Sequence, residues 1–306
     1  MPWGFNDFFL RDMSFTNSEA AYVCLAPEDA ETNGACRFAF FPGCQLGASS
    51  PELVLRSYEL LLKIDPSTGI MIGCCGVPAQ WAGDEELQKQ ALSKIRADWE
   101  RLNKPTMILA CPTCRKTFSK FLPEIKTTFI YDVIAAADSA AAADSAAAVY
   151  SASCNAVAGS DYSVFDACST AADDSVRTSV RRICERLGIK LTPLPVQEKW
   201  TACCSYGGHG DLADPAFTKF VREKRISEGE LPYITYCINC RDSFLREGKE
   251  AVHVLDLLFG LDPRLVTVTR RRENRTELKE KLLRIRGVTA TAASCLDGAE
   301  TIGTDL

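Results

Sequence analysis

The sequence predicts two tandem, pseudo-symmetric α/β units, each built on a small parallel sheet with cysteines at the carboxyl ends of its strands. Three observations carry that expectation. Short apolar runs alternate with helical stretches, in the same order, over residues 37–134 and again over 161–262, and such alternation argues for a parallel sheet. Residues 135–160 between them are almost all Ala, Ser and Asp; no bulky apolar stripe is there to dock a helix, so this stretch reads as a linker. Ten of the 15 cysteines recur in matching places in the two halves.

In the first half, Arg37–Cys44 is an apolar run closed by Pro42-Gly43, a buried strand ending in a turn. Pro51–Lys63 is a helix with Ser50 as N-cap and Pro51 at its first position. Gly69–Gly73 is a second strand, closed by Cys74-Cys75-Gly76. Asp84–Asn103 is an amphipathic helix with an acidic first turn. Pro105–Cys111 is a third strand, Arg115–Leu122 starts another helix, and Thr127–Ile134 closes the unit. The second half follows the same order. Asp161–Cys168 is a strand, and Val176–Leu187 is a helix with Gly188 as C-cap. Trp200–Cys204 is strand-like. Asp214–Glu228 is a helix capped by Asp214, Leu231–Cys237 a strand, Arg241–Arg246 the start of a helix, and Ala251–Phe259 the closing segment. An N-terminal extension (1–36) and a basic helix with a tail (263–306) flank the two units.

Composition narrows the function classes. The net charge is −5, with 35 basic and 40 acidic residues, which counts against a general nucleic-acid binder. No apolar run approaches the length of a membrane span. The start of the chain lacks the basic and apolar regions of a secretory signal. With thiols that need a reducing compartment, a cytoplasmic protein is expected. There is no G-x-G-x-x-G, and Gly207-Gly208-His209-Gly210 lacks the Lys-Ser/Thr of a phosphate loop, so no nucleotide cofactor is expected on this chain.

The cysteines carry most of the message. Cys44 is followed after 29 residues by Cys74-Cys75, and after 35 more by Cys111-x-x-Cys114. Cys168 is followed after 34 residues by Cys203-Cys204, and after 32 more by Cys237-x-x-Cys240. Each half thus holds a single cysteine, an adjacent pair and a C-x-x-C. In a parallel sheet the strand carboxyl ends form the ligand crevice, where the three groups would meet. A zinc site closes with four ligands. Five thiolates, two of them adjacent and pointing apart on extended backbone, suit a wider iron–sulfur cluster. Zinc, a dithiol/disulfide enzyme, and cysteines kept as packing are the alternatives. Because each set lies within one half, the two sites are expected to assemble independently.

This pattern resembles the CCG cysteine-rich domain, duplicated in the disulfide-cleaving subunit of heterodisulfide reductase and found in related iron–sulfur oxidoreductase subunits. The resemblance covers roughly residues 37–260, the linker apart. It implies one or two 4Fe-4S clusters, with Cys44, Cys74, Cys75, Cys111 and Cys114 as the ligands of one site and Cys168, Cys203, Cys204, Cys237 and Cys240 as those of the other; in the reductase such a set holds a non-cubane cluster, and relatives differ in whether both copies are filled. It implies an oxidoreductase subunit that transfers electrons and reduces a disulfide at a cluster, with a flavoprotein or ferredoxin-like subunit as partner. The electron-transfer subunit of a 2-hydroxy-acid or glycerol-3-phosphate type dehydrogenase is the alternative, and a zinc- or cluster-stabilised interaction module is a further one. The second copy reads Cys203-Cys204-Ser205 where the family has Gly after the pair, and serine narrows the backbone freedom there.

Other candidates are weaker. His209, close in sequence to the second set, is a candidate proton donor for disulfide cleavage; a plain loop histidine is the alternative. His253 on an apolar strand reads as structural. Cys184, inside a helix, reads as packing, and Cys24, Cys36, Cys154 and Cys295 lie outside both sets. Residues 264–287 hold nine basic and three acidic residues. They read as a solvated helix, with a docking surface for an acidic partner as the functional alternative. The tail 288–306 is poor in large apolar residues and is expected to be disordered or to belong to a partner interface.

Overall fold

The computed structural model describes residues 10–24, 36–137 and 158–285. From the N-terminal extension come α1 (Arg11–Asn17) and β1 (Tyr22–Cys24). The first unit runs β2 (Phe38–Phe41), α2 (Cys44–Ser49), α3 (Pro51–Ile64), β3 (Gly69–Ile72), α4 (Val77–Ala82), α5 (Glu85–Arg101), β4 (Thr106–Leu109), α6 (Pro112–Phe121), β5 (Thr127–Phe129) and α7 (Ile130–Ala137). The second runs β6 (Asp161–Val164), α8 (Asp174–Arg186), β7 (Lys190–Leu191), α9 (Gly210–Ala213), α10 (Pro215–Ile226), β8 (Tyr233–Thr235), α11 (Ile238–Arg246), β9 (Ala251–His253) and α12 (Val254–Phe259), followed by α13 (Val268–Ile285). No helix among the described residues is long and apolar enough to cross a membrane.

Local chemistry starts these helices. The side chains of Ser50, Asp84 and Asp214 accept the N–H groups of Leu53, Leu87 and Phe217, each three residues on, and so satisfy donors that the first helical turn leaves unpaired. Pro51 and Pro215 stand in first turns, where no N–H is missed.

The first sheet has the order β1-β3-β2-β4-β5 and the second β7-β6-β8-β9. Setting β1 aside, both copies place their second strand beside the first, then the third and the fourth. All the pairings are parallel except that of β1, which runs antiparallel to β3. The strand order reverses between β2 and β4, and again between β6 and β8. At such switch points the carboxyl ends of the strands open a crevice.

The structure departs from the sequence reading in several places. Trp200–Cys204 is no strand: a 3-10 turn at Glu198–Trp200 leads into irregular backbone, and the strand of this position is β7. The pair Cys203-Cys204 therefore reaches its site through a long loop rather than from a strand end. The two closing segments each split into a strand and a helix. The basic stretch is a helix solvated on one face only, with Arg270, Glu273, Thr276, Glu280 and Arg284 exposed. On α13, Arg271, Asn274, Arg275, Leu278 and Leu282 are buried, and the helix packs on α2 and α3. Arg272 and Arg275 pair with the buried Asp12, and Arg271 with Asp242. Arg271 and Arg275 are thereby spent inside the molecule and removed from an acidic-partner surface, while Arg272 stays 43% exposed. Residues 138–157 of the expected linker, Cys154, Cys295 and the tail 288–306 lie outside the described residues.

Nor are the halves independent bodies. α7 packs along α8, and Ser49 donates to Asp242 across the interface at 2.9 Å. One apolar core runs through both units.

Candidate functional site

Cys44 opens α2 just past β2, and Cys111 caps α6 just past β4, so they flank the first switch point. Gly43 makes this approach possible. Its φ is +80°, and a Cβ there would sit 3.0 Å from Cys111 Cβ and 3.2 Å from Cys114 Sγ. Cys74-Cys75 follows β3. The Asn17 side chain holds that turn, accepting the Cys74 N–H at 2.7 Å and donating to the Cys74 carbonyl at 3.3 Å. Gly76, at φ +82°, then turns the chain into α4.

All ten motif cysteines are brought into two sets, wired alike. In the first, hydrogen-bonding contacts between thiols run from Cys44 to Cys74, to Cys75, to Cys114 and to Cys111. In the second they run from Cys168 to Cys203, to Cys204, to Cys240 and to Cys237. The order by motif position is the same: single cysteine, first and second of the pair, then last and first of the C-x-x-C. Among the described residues no group of three or more His, Cys, Asp or Glu is arranged to hold one metal ion; the thiols form rows.

The rows share protons. The hydrogen bond from Cys74 holds Cys44 below the usual thiol range, and those from Cys114 and Cys74 hold Cys75 well below it. Cys74 and Cys114, as donors, are pushed well above it. In the second set Cys203 and Cys237 are lowered by neighbouring thiols, while Cys168, Cys204 and Cys240 are raised. Packed thiols cannot all ionise without a compensating cation, and metal binding draws off the remaining protons. The donor set, five soft sulfur ligands per site, fits a thiolate-bound iron–sulfur cluster.

Exposure separates the sets. Cys168 and Cys203 are exposed, whereas Cys44 and Cys111 are half-buried and the rest of the first set is buried. The second set lines a cleft of about 460 Å³, and part of the first lines a small pocket of about 30 Å³. Val77, Trp81, Thr113, Tyr206 and Asn239 line both. Thr113 and Asn239 hold equivalent places within their C-x-x-C motifs.

A tyrosine between the sets escaped the sequence reading. The buried Tyr131 hydroxyl lies 3.1 Å from the carbonyls of both Ala110 and Tyr236, the residues just before Cys111 and Cys237. His253 Nε2 stands 3.4 Å from it. Because His253 Nδ1 accepts the Leu255 N–H, the neutral ring carries its proton on Nε2, facing the tyrosine oxygen. His253 is therefore structural, as its sequence context implies, and it also caps α12.

His209 does not take the place expected of a proton donor. It is buried, stands edge-on to Trp81 with ring centroids 5.4 Å apart, and is not among the residues lining the cleft. Burial lowers its pKa to about 4, so it is neutral near pH 7. Ser205 adopts φ +63°, the left-handed conformation that Gly76 takes in the first copy. Its hydroxyl donates to the Thr218 carbonyl at 2.9 Å, a local compensation for the strain. Cys184 is fully buried, with burial raising its thiol pKa to about 12, in keeping with packing. Cys36 is buried too.

Two tandem α/β units with matched five-cysteine sets define a duplicated cysteine-rich domain protein. The family model for the cysteine-rich domain (CCG) matches residues 38–119 and 162–244, and the chain belongs to that family. Such domains are consistent with iron–sulfur or metal-binding electron-transfer roles. No curated protein matches the chain.

Proposed function

We propose that this chain is an iron–sulfur electron-transfer protein that meets a disulfide at its second cysteine set. The observation that carries the reading is the pair of identically ordered thiol rows, one enclosed and one opening on a cleft. Cys44, Cys74, Cys75, Cys111 and Cys114 would hold one 4Fe-4S cluster, and Cys168, Cys203, Cys204, Cys237 and Cys240 the other. A bound cluster of this kind takes up and releases single electrons. The chain's own residues set the conditions. The first set is the more buried of the two, with Cys74, Cys75 and Cys114 out of solvent, which suits an internal relay. The second leaves Cys168 and Cys203 open to a ligand. Cleaving one disulfide consumes two electrons and two protons and yields two thiols. The electrons come from a reduced flavoprotein or ferredoxin-like partner, and the protons from water reaching the open cleft.

A second reading, an electron-transfer subunit of a dehydrogenase, is favoured by exposed apolar residues in the second unit. Phe217 and Phe220 stand one turn apart on α10, 61% and 60% exposed, as contacts for a protein partner. One anaerobic experiment tests both. The iron-loaded chain should be brown, bleach with dithionite, and regain colour on adding an organic disulfide, with two thiols released per disulfide. Recovery only with a protein or dye acceptor favours the dehydrogenase reading, and a colourless chain holding zinc refutes both.

A further inference from the structure

The cleft beside Cys168 and Cys203 has a charge pattern that the cysteines do not explain. Its charged lining residues other than thiols are Lys116 and Lys120, one turn apart on α6 and both exposed, and no carboxylate lines it. In a chain of net charge −5 this is a local reversal of sign. Asn239, one of its lining residues, is 6% exposed, and its Oδ1 has no hydrogen-bond partner. A buried acceptor left without a donor is costly, and a ligand that brings the donor removes that cost. Trp81 and Phe121 add apolar surface to the lining.

We propose that the cleft is a binding site for small anionic thiols and their disulfides. Lys116 and Lys120 hold a carboxylate or phosphate of the ligand, Trp81 and Phe121 pack on its carbon chain, and Asn239 Oδ1 accepts an N–H or O–H near its sulfur. The thiolate row is itself negative, so the charge of an anionic ligand is held by the two lysines rather than by the sulfurs. The same two cations draw such a ligand into the cleft. This rests on the reading of the second set as the one that meets a disulfide.

The test uses the full iron-loaded chain under anaerobic conditions, with binding measured by equilibrium dialysis and reduction followed separately. The probes are diacetylcystine (a dianionic disulfide with amide N–H groups), its neutral dimethyl ester, and dithiodipropionate (dianionic, without N–H). Diacetylcystine should bind about tenfold tighter than its ester at low salt, the scale of two exposed ion pairs, and the difference should shrink as salt rises. In Lys116→Ala/Lys120→Ala the ratio should fall to about one with iron content unchanged. Asn239→Ala should abolish the preference for diacetylcystine over dithiodipropionate. If acid and ester bind alike, or the lysine variant keeps the ratio, the anion site is refuted while disulfide reduction stands. If no disulfide of either charge is bound or reduced, the reading of the second set itself fails.

Discussion

Replacing Asp242 with alanine should break the clamp that joins the two cysteine units. Asp242 is 2% exposed and Arg241 1%. The carboxylate accepts from Ser49 Oγ at 2.9 Å, from Arg241 at 2.9 and 3.0 Å, and from Arg271 at 3.1 Å. These donors come from the first unit, from α11 and from α13. Arg241 keeps Asp256 as a partner, but Arg271 loses its ion pair and retains Gln45. Removing one member of a buried ion pair costs about 3–5 kcal/mol, mostly because charge is left uncompensated. Glu52 is the control: its pair with Arg56 is 42% and 48% exposed, which makes it worth about 0–1 kcal/mol. Urea unfolding of Asp242→Ala and Glu52→Ala measures the contrast, and limited proteolysis should cut near α13 in the first variant alone. Equal losses in the two variants would refute the clamp.

Three further outcomes follow from particular residues. Ser205→Gly relieves the left-handed strain but loses the hydroxyl's bond to Thr218 and its long one from Arg222 at 3.4 Å, opposing effects of about 1–2 kcal/mol each. It should be near neutral in urea unfolding, while Ser205→Ala, which only loses the bond, should be destabilised; the reverse ranking counts against the strain argument. Gly43→Ala puts a methyl against Cys111 and Cys114 at a positive φ, so iron should fall at the first set and persist at the second; full iron would show that the close approach is dispensable. His253, its pKa lowered to about 3 by burial and by Arg241, is neutral in the fold yet protonates in the unfolded chain below its ordinary 6.5. The unfolded state therefore binds more protons, and stability present above about pH 6.5 is lost towards about pH 3, at up to about 1.4 kcal/mol per unit. His253→Asn should flatten that slope, and an unchanged slope would assign acid lability elsewhere.

Most elements were legible because their causes are local. Ser50, Asp84 and Asp214 cap within three residues, and the buried strands at 38–41 and 69–72 stand between plain turn signals. The two cysteine sets were legible because the same motif order occurs twice. What failed was long-range. Nothing near α13 in sequence indicates that Arg272 and Arg275 meet Asp12, some 260 residues away, so a basic run read as solvated. Tyr131 reaches a carbonyl 105 residues on, and Asn17 braces a turn 57 residues away. The stretch before Cys203 had the apolar look of a strand, but no neighbouring strand pairs with it. The packing of the two halves on each other was not legible either, because the linker's composition says nothing about the surfaces on either side of it.

The central claim is that each five-thiol row holds its own iron–sulfur cluster. Iron and acid-labile sulfide per chain, measured in the unaltered protein, in Cys74→Ala/Cys75→Ala, in Cys203→Ala/Cys204→Ala and in Cys184→Ala, test it most directly. Each adjacent-pair variant should keep about half the iron and sulfide, with the other site's spectrum retained, and Cys184→Ala should keep all of it. Full iron in either pair variant, or iron without sulfide in the unaltered chain, would contradict the account.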